Sequence, residues 1–338
     1  MAASRRSPDP CGGIGARAAP ARTSARSCLM TAPPSRTPLV LVTGGAGFIG
    51  SHTVDFLLAE GERVRVVDDL RTGRMENLPA AHPALEFVCG DIRDTALLER
   101  VMRGVTHVLH LAAQVSVEWS VRDPVSSCSE NVLGFVAVLD AARRAGARLV
   151  YASSAAVYGD PGPVPVSESA PIAPLSPYGL EKAVDEAYAD LYARLHAYPS
   201  LGLRYFNVYG PRQDPASPYS GVIAKFLARL ARGAPLEVHG DGLQERDFVH
   251  VRDVAHVNVH ALFGEIHGVV NVARGESVSV RELVCRLERA ARRPLATVFV
   301  PEPTGAIRSS RADIGRLREE LFLPGIGLEE GLEELLAG

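Results

Sequence analysis

The sequence predicts an α/β protein: a doubly wound parallel sheet with a smaller α/β region interleaved on its C-terminal side. Three observations predict it. From Pro38 onward, short apolar runs alternate with helical stretches, the pattern of a parallel sheet covered on both faces. The turn between the first strand and first helix, Thr43-Gly44-Gly45-Ala46-Gly47-Phe48-Ile49-Gly50, is glycine-rich. The chain has 338 residues, 46% hydrophobic and 22% charged, enough for one large or two modest domains.

The elements follow in order. Residues 1–37 are rich in Ala, Arg, Ser and Pro, with six Arg against the single acid Asp9 and no apolar periodicity. They are read as an extension outside the fold. It is a tail, a transit segment or sequence upstream of a true start at Met30, and the last is favoured because the first strand soon follows Met30. Leu39 to Val42 is the first strand and Phe48 to Glu60 its helix. Val64–Val67 and Leu85–Val88 are strands, and Asp94 to Met102 is a helix. His107 to Leu111 is a strand, followed by one long helix from about Pro124 to Arg144. Leu149 to Ala152 is a strand, Pro177 to Leu195 a helix and Leu201 to Phe206 a further strand. Residues 38–207 thus form the dinucleotide-binding half, and 208–338, with Pro/Gly-rich loops, mainly the substrate half.

The glycine turn carries the first chemistry. Gly44, Gly47 and Gly50 are spaced three apart between strand and helix. This spacing suits a tight turn, close approach to a pyrophosphate and close helix–strand packing, as in a Rossmann fold. The helix N-terminus at Phe48 and Ile49 then faces the anion. Asp68 ends the second strand, where it can bind both ribose hydroxyls of NAD and repel the 2′-phosphate of NADP. Asp91, beside Ile92, either meets the adenine or caps the next helix. Ala112 and Ala113 follow the fourth strand and leave room for a cofactor.

A second constellation follows. Tyr178 and Lys182 are four apart on a helix and share a face. Ser153 and Ser154 end the fifth strand, at the edge where ligands bind in open α/β sheets. A phenol with a pKa of roughly 10 is a poor base near neutrality, and a nearby ammonium favours its phenolate. Ser, Tyr and Lys together can remove a proton from an alcohol during its oxidation. Only two lysines, Lys182 and Lys225, stand against 34 arginines. Arg is a rigid, permanently charged fork and cannot replace a tunable point charge at Lys182.

These residues sit in TGGAGFIGSH from Thr43, GDIRD from Gly90, HLAAQVSVEWS from His110 and SSAAVYG from Ser153. SPYGLEK from Ser176, LRYFNVYGPRQ from Leu203 and GDGLQERDFVHVRDV from Gly240 continue the series. From Leu39 to the C-terminus the chain resembles the extended short-chain dehydrogenase/reductases, specifically the UDP-glucose 4-epimerase family of nucleotide-sugar epimerases. The resemblance implies NAD as cofactor and inversion at C4 through a 4-keto sugar. It implies Tyr178 as the acid/base, Ser154 as the catalytic Ser/Thr with Ser153 beside it, and Lys182 on the nicotinamide ribose. It places Asn207, Val222 and Arg246 on the nucleotide diphosphate and base, and Asn131 as a support. It also implies a homodimer through the two long helices.

Two positions bear on the substrate. Ser310 matches a position that gates sugar size in the family, so a small residue there implies acceptance of UDP-N-acetylhexosamines. Pro303-Thr304-Gly305-Ala306 stands where the family carries Arg-x-Gly-Asp, and Arg308 is the candidate replacement. A 4,6-dehydratase, which resembles this class, needs an acidic pair after its Ser/Thr, where this chain has Ala155-Ala156. A UDP-glucuronate decarboxylase or epimerase stays open. A non-catalytic nucleotide sensor would lose Tyr, Lys or Ser.

Composition excludes other classes. The net charge of −3 disfavours nucleic-acid binding. No apolar run reads as long enough to span a bilayer. Cys11, Cys28, Cys89, Cys128 and Cys285 are widely spaced without a CxxC pair. That argues against a disulfide framework or bound metal and fits a cytoplasmic setting.

Overall fold

The computed structural model describes residues 38–162, 165–214, 221–302, 307–322 and 324–337. The expectations for residues 1–37 and for Pro303–Ala306 lie outside the described residues. In chain order the large sheet begins with β1 (Leu39–Thr43), α1 (Phe48–Ala59), β2 (Arg63–Asp68), β3 (Leu85–Cys89), α2 (Thr95–Val101) and β4 (His107–His110). Next come α3 (Val117–Arg122), α4 (Pro124–Cys128), α5 (Gly134–Ala145), β5 (Arg148–Ser154), α6 (Pro177–His196) and β6 (Leu201–Tyr205). The remainder holds β7 (Asn207–Tyr209), α7 (Val222–Ala231), β8 (Leu236–His239), β9 (Glu245–His250), α8 (Val251–Phe263), β10 (Gly268–Val272) and β11 (Ser277–Ser279). It ends with α9 (Val280–Ala291), β12 (Thr297–Val300), α10 (Gly315–Glu320) and α11 (Leu328–Ala337).

Seven strands form one sheet in the order β10-β6-β5-β4-β1-β2-β3, parallel throughout. The chain reverses direction across the sheet between β1 and β4, the point where such sheets bind ligands beyond their carboxyl ends. β1 is buried along its whole length. Val40 and Val42 enter one apolar layer with Val54, Leu57 and Val254. Leu41 enters the other with Phe135, Leu139 and Tyr151. That alternation follows from the two-residue period of a strand. Each fully buried Val or Leu contributes roughly 1.5–3 kcal/mol.

The interleaving is concrete. α8 and β10 return to the large sheet, β10 pairing with β6. The smaller region comprises a β11-β9-β7 sheet and a β12-β8 pair, around an apolar cluster that includes Tyr209, Phe226, Phe248 and Leu283.

The helix expected over Pro124–Arg144 is interrupted. A turn of π-helix, Ser129–Leu133, lies between α4 and α5. The whole run Pro124–Ala145 spans 22 residues, and an 18-residue stretch within it has a mean hydropathy of 1.2. By length and composition it could cross a bilayer, which amends the expectation that no such run exists. Here Phe135, Val138, Leu139 and Ala142 are buried against the sheet.

Candidate active site

The glycine turn is built for close approach. Gly44 has φ +72°, and a Cβ there would lie 2.7 Å from the Ala112 backbone nitrogen. A Cβ at Gly50 would lie 2.2 Å from the Gly44 carbonyl oxygen. The Gly47 N–H donates to that same oxygen at 3.1 Å, which closes the turn. Gly47 also opens α1 without a side-chain cap. The first-turn amides of Phe48 and Ile49 therefore keep donor capacity for an anion.

Asp68 is buried at the end of β2. Its carboxylate accepts from the Ala46 N–H at 3.0 Å and the Leu70 N–H at 2.9 Å. Burial raises its pKa, and the two backbone donors oppose that shift. A Cβ at Gly73 would lie 2.6 Å from Asp68 Oδ1, so glycine there leaves the space beside the carboxylate open. Gly73 went unnoticed in the sequence. These features fit a dinucleotide: a bare backbone cradle for a pyrophosphate, and a fixed carboxylate one strand away for a ribose.

Asp91 is tied to Arg93, whose guanidinium donates to it at 2.5–3.1 Å and holds its pKa below the ordinary value. Asp91 does not cap α2. Asp94 does, accepting from the Ala96 and Leu97 N–H groups. Ile92 is buried and packs where a Cβ on Gly134 would meet it at 2.7 Å. Ala112 and Ala113 are half-buried, and the Ala112 N–H donates to Thr43 Oγ1 at 3.3 Å.

α6 carries the second constellation. Ser176 caps it by accepting from the Gly179 N–H, and Pro177 opens its first turn. The Tyr178 N–H donates to Ser120 Oγ at 3.1 Å, which ties the helix start to α3. Lys182, one turn on, is 2% exposed, and its Nζ lies 3.2 Å from Asp185 Oδ2. Burial opposes its charge, but attraction from Asp185, Tyr178 and Glu181 outweighs this and holds its pKa above the ordinary value. Burial, and then repulsion from Lys182, lower His110 to about 3. His110 is therefore neutral, its Nδ1 2.8 Å from Thr43 Oγ1.

The two serines part company, as successive strand residues must. Ser154 is half-buried, and its Oγ accepts from the Ala156 N–H at 3.2 Å, which leaves its O–H proton for another acceptor. Ser153 is buried and donates to Glu186 Oε1 at 2.6 Å. Glu186 is in turn gripped by the Arg204 guanidinium at 2.8 and 2.7 Å. Ser153, read from the sequence with Ser154 as a substrate-binding candidate, thus commits its one proton to a buried network.

The π turn explains Asn131. It points Asn131 inward, 1% exposed, and such turns recur where a helix bends at a functional site. Its side chain accepts from the Gln114 N–H and donates to the Gln114 carbonyl and Glu181 Oε2. The loop after β4 and α6 are thereby joined behind the Tyr178–Lys182 pair.

In the smaller region a cleft of about 290 Å³ is lined by Asn207, Val222, His239, Gln244, Arg246 and Glu302, among others. It brings together three of the expected substrate residues. Asn207 Nδ2 donates to the Asp247 carbonyl at 3.0 Å. Arg246 is the one Lys or Arg lining the cleft among the described residues, and burial lowers its pKa. Ser310 stands beside the cleft lining; its N–H donates to the Glu245 carbonyl at 3.2 Å. Arg308 is engaged elsewhere, in a two-pronged pair with Asp241 at 2.8 Å. His239, Gln244 and Glu302 were missed in the sequence. They meet only because β8 pairs with β12 while Gln244 leads into β9.

Residues 40–273 match the sequence profile described as the NAD dependent epimerase/dehydratase family. The chain is 42% identical over 302 residues to the UDP-glucose 4-epimerase of Mycolicibacterium smegmatis, covering 86% of this chain and 95% of that protein. Its fold is similar to the UDP-N-acetylglucosamine 4-epimerase of Methanobrevibacter ruminantium in complex with UDP-N-acetylmuramic acid. That match has a TM-score of 0.86 at 36% identity, over 89% of this chain and 98% of that one. The UDP-glucose 4-epimerase of Thermus thermophilus in complex with NAD gives a TM-score of 0.82 at 39% identity, over 88% and 98%.

Proposed function

Because this chain belongs to the NAD-dependent epimerase/dehydratase family, we propose that it inverts C4 of a UDP-linked hexose through a transient 4-keto sugar. UDP-glucose and UDP-galactose are the core pair. The single observation that carries the reading is the placement of Tyr178 and a buried, charged Lys182 on α6, with Ser154 ending β5 and Ala155-Ala156 directly after it. An alcohol can be deprotonated there, and no acidic pair follows Ser154 to expel a neighbouring hydroxyl as water.

NAD, when bound, supplies the hydride acceptor and later donor for C4. The chain's residues do the rest. Tyr178 Oη takes the proton of the 4-hydroxyl and returns it after the ketone has turned over in the site. The Lys182 ammonium lowers the cost of negative charge on that oxygen. The Ser154 hydroxyl donates to the same substrate oxygen, where charge develops. Gly44, Gly47 and Gly50 with the first amides of α1 receive the cofactor pyrophosphate, and Asp68 the ribose hydroxyls. Asp91, Ile92, Ala112 and Ala113 line the remaining cofactor path. Asn207 and Arg246 hold the nucleotide diphosphate, Arg246 as its fork, and Val222 lies near the nucleotide at the start of α7.

Ser310 leaves room for an N-acetyl group, so UDP-N-acetylhexosamines are included as substrates. The active form is a homodimer in the cytoplasm. Exposed aliphatics on two adjoining helices support the dimer: Val117, Val121, Leu180 and Leu195 are 47–66% exposed on α3 and α6. Free, exposed Cys89, Cys128 and Cys285 support a reducing compartment. The test is to incubate the protein separately with UDP-glucose and UDP-N-acetylglucosamine and analyse products by NMR. Inversion at C4 without added reductant is expected. Loss of water or release of CO2 would overturn the reading.

A further inference from the structure

Lys182 sits among more buried carboxylates than buried cations. Glu181, Asp185 and Glu186 are all buried on α6. Arg204 on β6 satisfies Glu186, and the neutral donors of Ser127 and Asn131 satisfy one oxygen of Glu181. Among the described residues Asp185 is the one hydrogen-bond partner of Lys182 Nζ. It is 0% exposed, and its second oxygen, Oδ1, has no hydrogen-bond partner among those residues. A fully buried carboxylate with an orphaned oxygen is costly.

An ammonium has three N–H donors in a fixed tetrahedron. With one of them committed to Asp185, the other two have defined directions. That is what a group serving both the Tyr178 phenol and a cofactor ribose requires. Resting on the function proposed above, we infer that Asp185 is a positioning residue: its negative charge anchors one corner of the Lys182 ammonium and so aims the other two donors. The groups that face this pair are Glu181, Glu186 and Tyr178 on α6, Tyr151 from β5 and His110 from β4.

The anchor fails when Asp185 takes up a proton. Burial pushes that event up to about 7, with Lys182 opposing it. The folded pKa lies above the ordinary carboxylate value, so the negative charge is present above neutrality and lost as pH falls through it. His110, at about 3, stays neutral throughout and cannot mimic the effect.

The test exploits composition: Lys182 and the exposed Lys225 are the chain's only lysines. Full-length holoenzyme labelled with 13Cε-lysine gives two resonances, assigned with Lys225→Arg. The Lys182 resonance is expected to titrate with a midpoint near neutrality, and Asp185→Asn is expected to abolish that titration. The same variant is expected to lower kcat roughly tenfold or more with little change in KM, and to remove one proton from the acid limb of the kcat–pH profile. A Lys182 resonance at the same position in the wild type and in Asp185→Asn would overturn the inference. So would an Asp185→Asn enzyme with wild-type kcat and pH profile. If Asp185→Asn does not fold, Asp185→Glu, which keeps the charge but moves it, is expected to shift the Lys182 resonance and lower kcat, and wild-type values for both would overturn the inference. The resonance reports on Lys182 whether or not C4 is inverted, so this inference and the function reading fail separately.

Discussion

Replacing Gly44 by alanine tests the cofactor cradle with a single methyl group. Two costs add in the structure. The residue has φ +72°, and a non-glycine residue held there costs roughly 1–2 kcal/mol. The new Cβ would also sit 2.7 Å from the Ala112 nitrogen and 2.9 Å from the Leu111 carbonyl carbon. Both are backbone atoms, so the loop after β4 must move, at roughly 1–3 kcal/mol for overpacking. The total is about 2–5 kcal/mol. Part of it appears as lost stability and part as a displaced pyrophosphate cradle. Calorimetric NAD titration and thermal unfolding of Gly44→Ala and wild type measure the two parts. NAD affinity is expected to fall at least tenfold, since about 1.4 kcal/mol is one decade, and the melting temperature to drop by several degrees. A variant that binds NAD and melts as wild type would refute the reasoning.

Three further outcomes follow from particular contacts. Ser310→Tyr is expected to retain UDP-glucose turnover while kcat/KM for UDP-N-acetylglucosamine falls at least tenfold; full activity on the N-acetylated sugar would sink the size-gate reading. Arg204→Met strips the charge from a buried pair with Glu186, and such losses cost roughly 3–5 kcal/mol; denaturant unfolding measures this, and an unchanged midpoint would show that the network is idle. His110 has a folded pKa near 3, below the unfolded value of about 6.5. The unfolded chain therefore binds the extra proton first, and this contribution to stability is complete above about 6.5 and lost as pH falls toward 3. At pH 5 the loss is about 2 kcal/mol, so His110→Gln is expected to flatten the fall in stability between pH 7 and 5; parallel curves would contradict the shift.

Much of this site was legible because local rules sufficed. β1 and the Gly44–Gly50 turn announce themselves through an apolar run, a glycine period and a following helix. Tyr178 and Lys182 are one helical turn apart wherever that helix lies. What was not legible depended on phase or distance. Ser153 and Ser154 are chemically equal, and only the strand's orientation sends the first to Glu186. Asp91 and Asp94 both precede α2, and only the backbone shows that Asp94 caps it. The π turn at Ser129–Leu133 has no apolar period of its own, so the helix reads as continuous. His239 and Glu302 meet through pairing of β8 with β12, which are remote in the chain. Asp185 reads as an ordinary polar helix residue until burial isolates it with Lys182.

The central claim is that C4 is oxidised and then reduced within one closed site, with Tyr178 handling the proton. UDP-glucose carrying deuterium at C4 tests it most directly, with the holoenzyme in ordinary water and products read by NMR. UDP-galactose that retains the deuterium at C4, and no product from Tyr178→Phe, are expected. Inversion with the label washed out to solvent, or undiminished inversion by Tyr178→Phe, would contradict it.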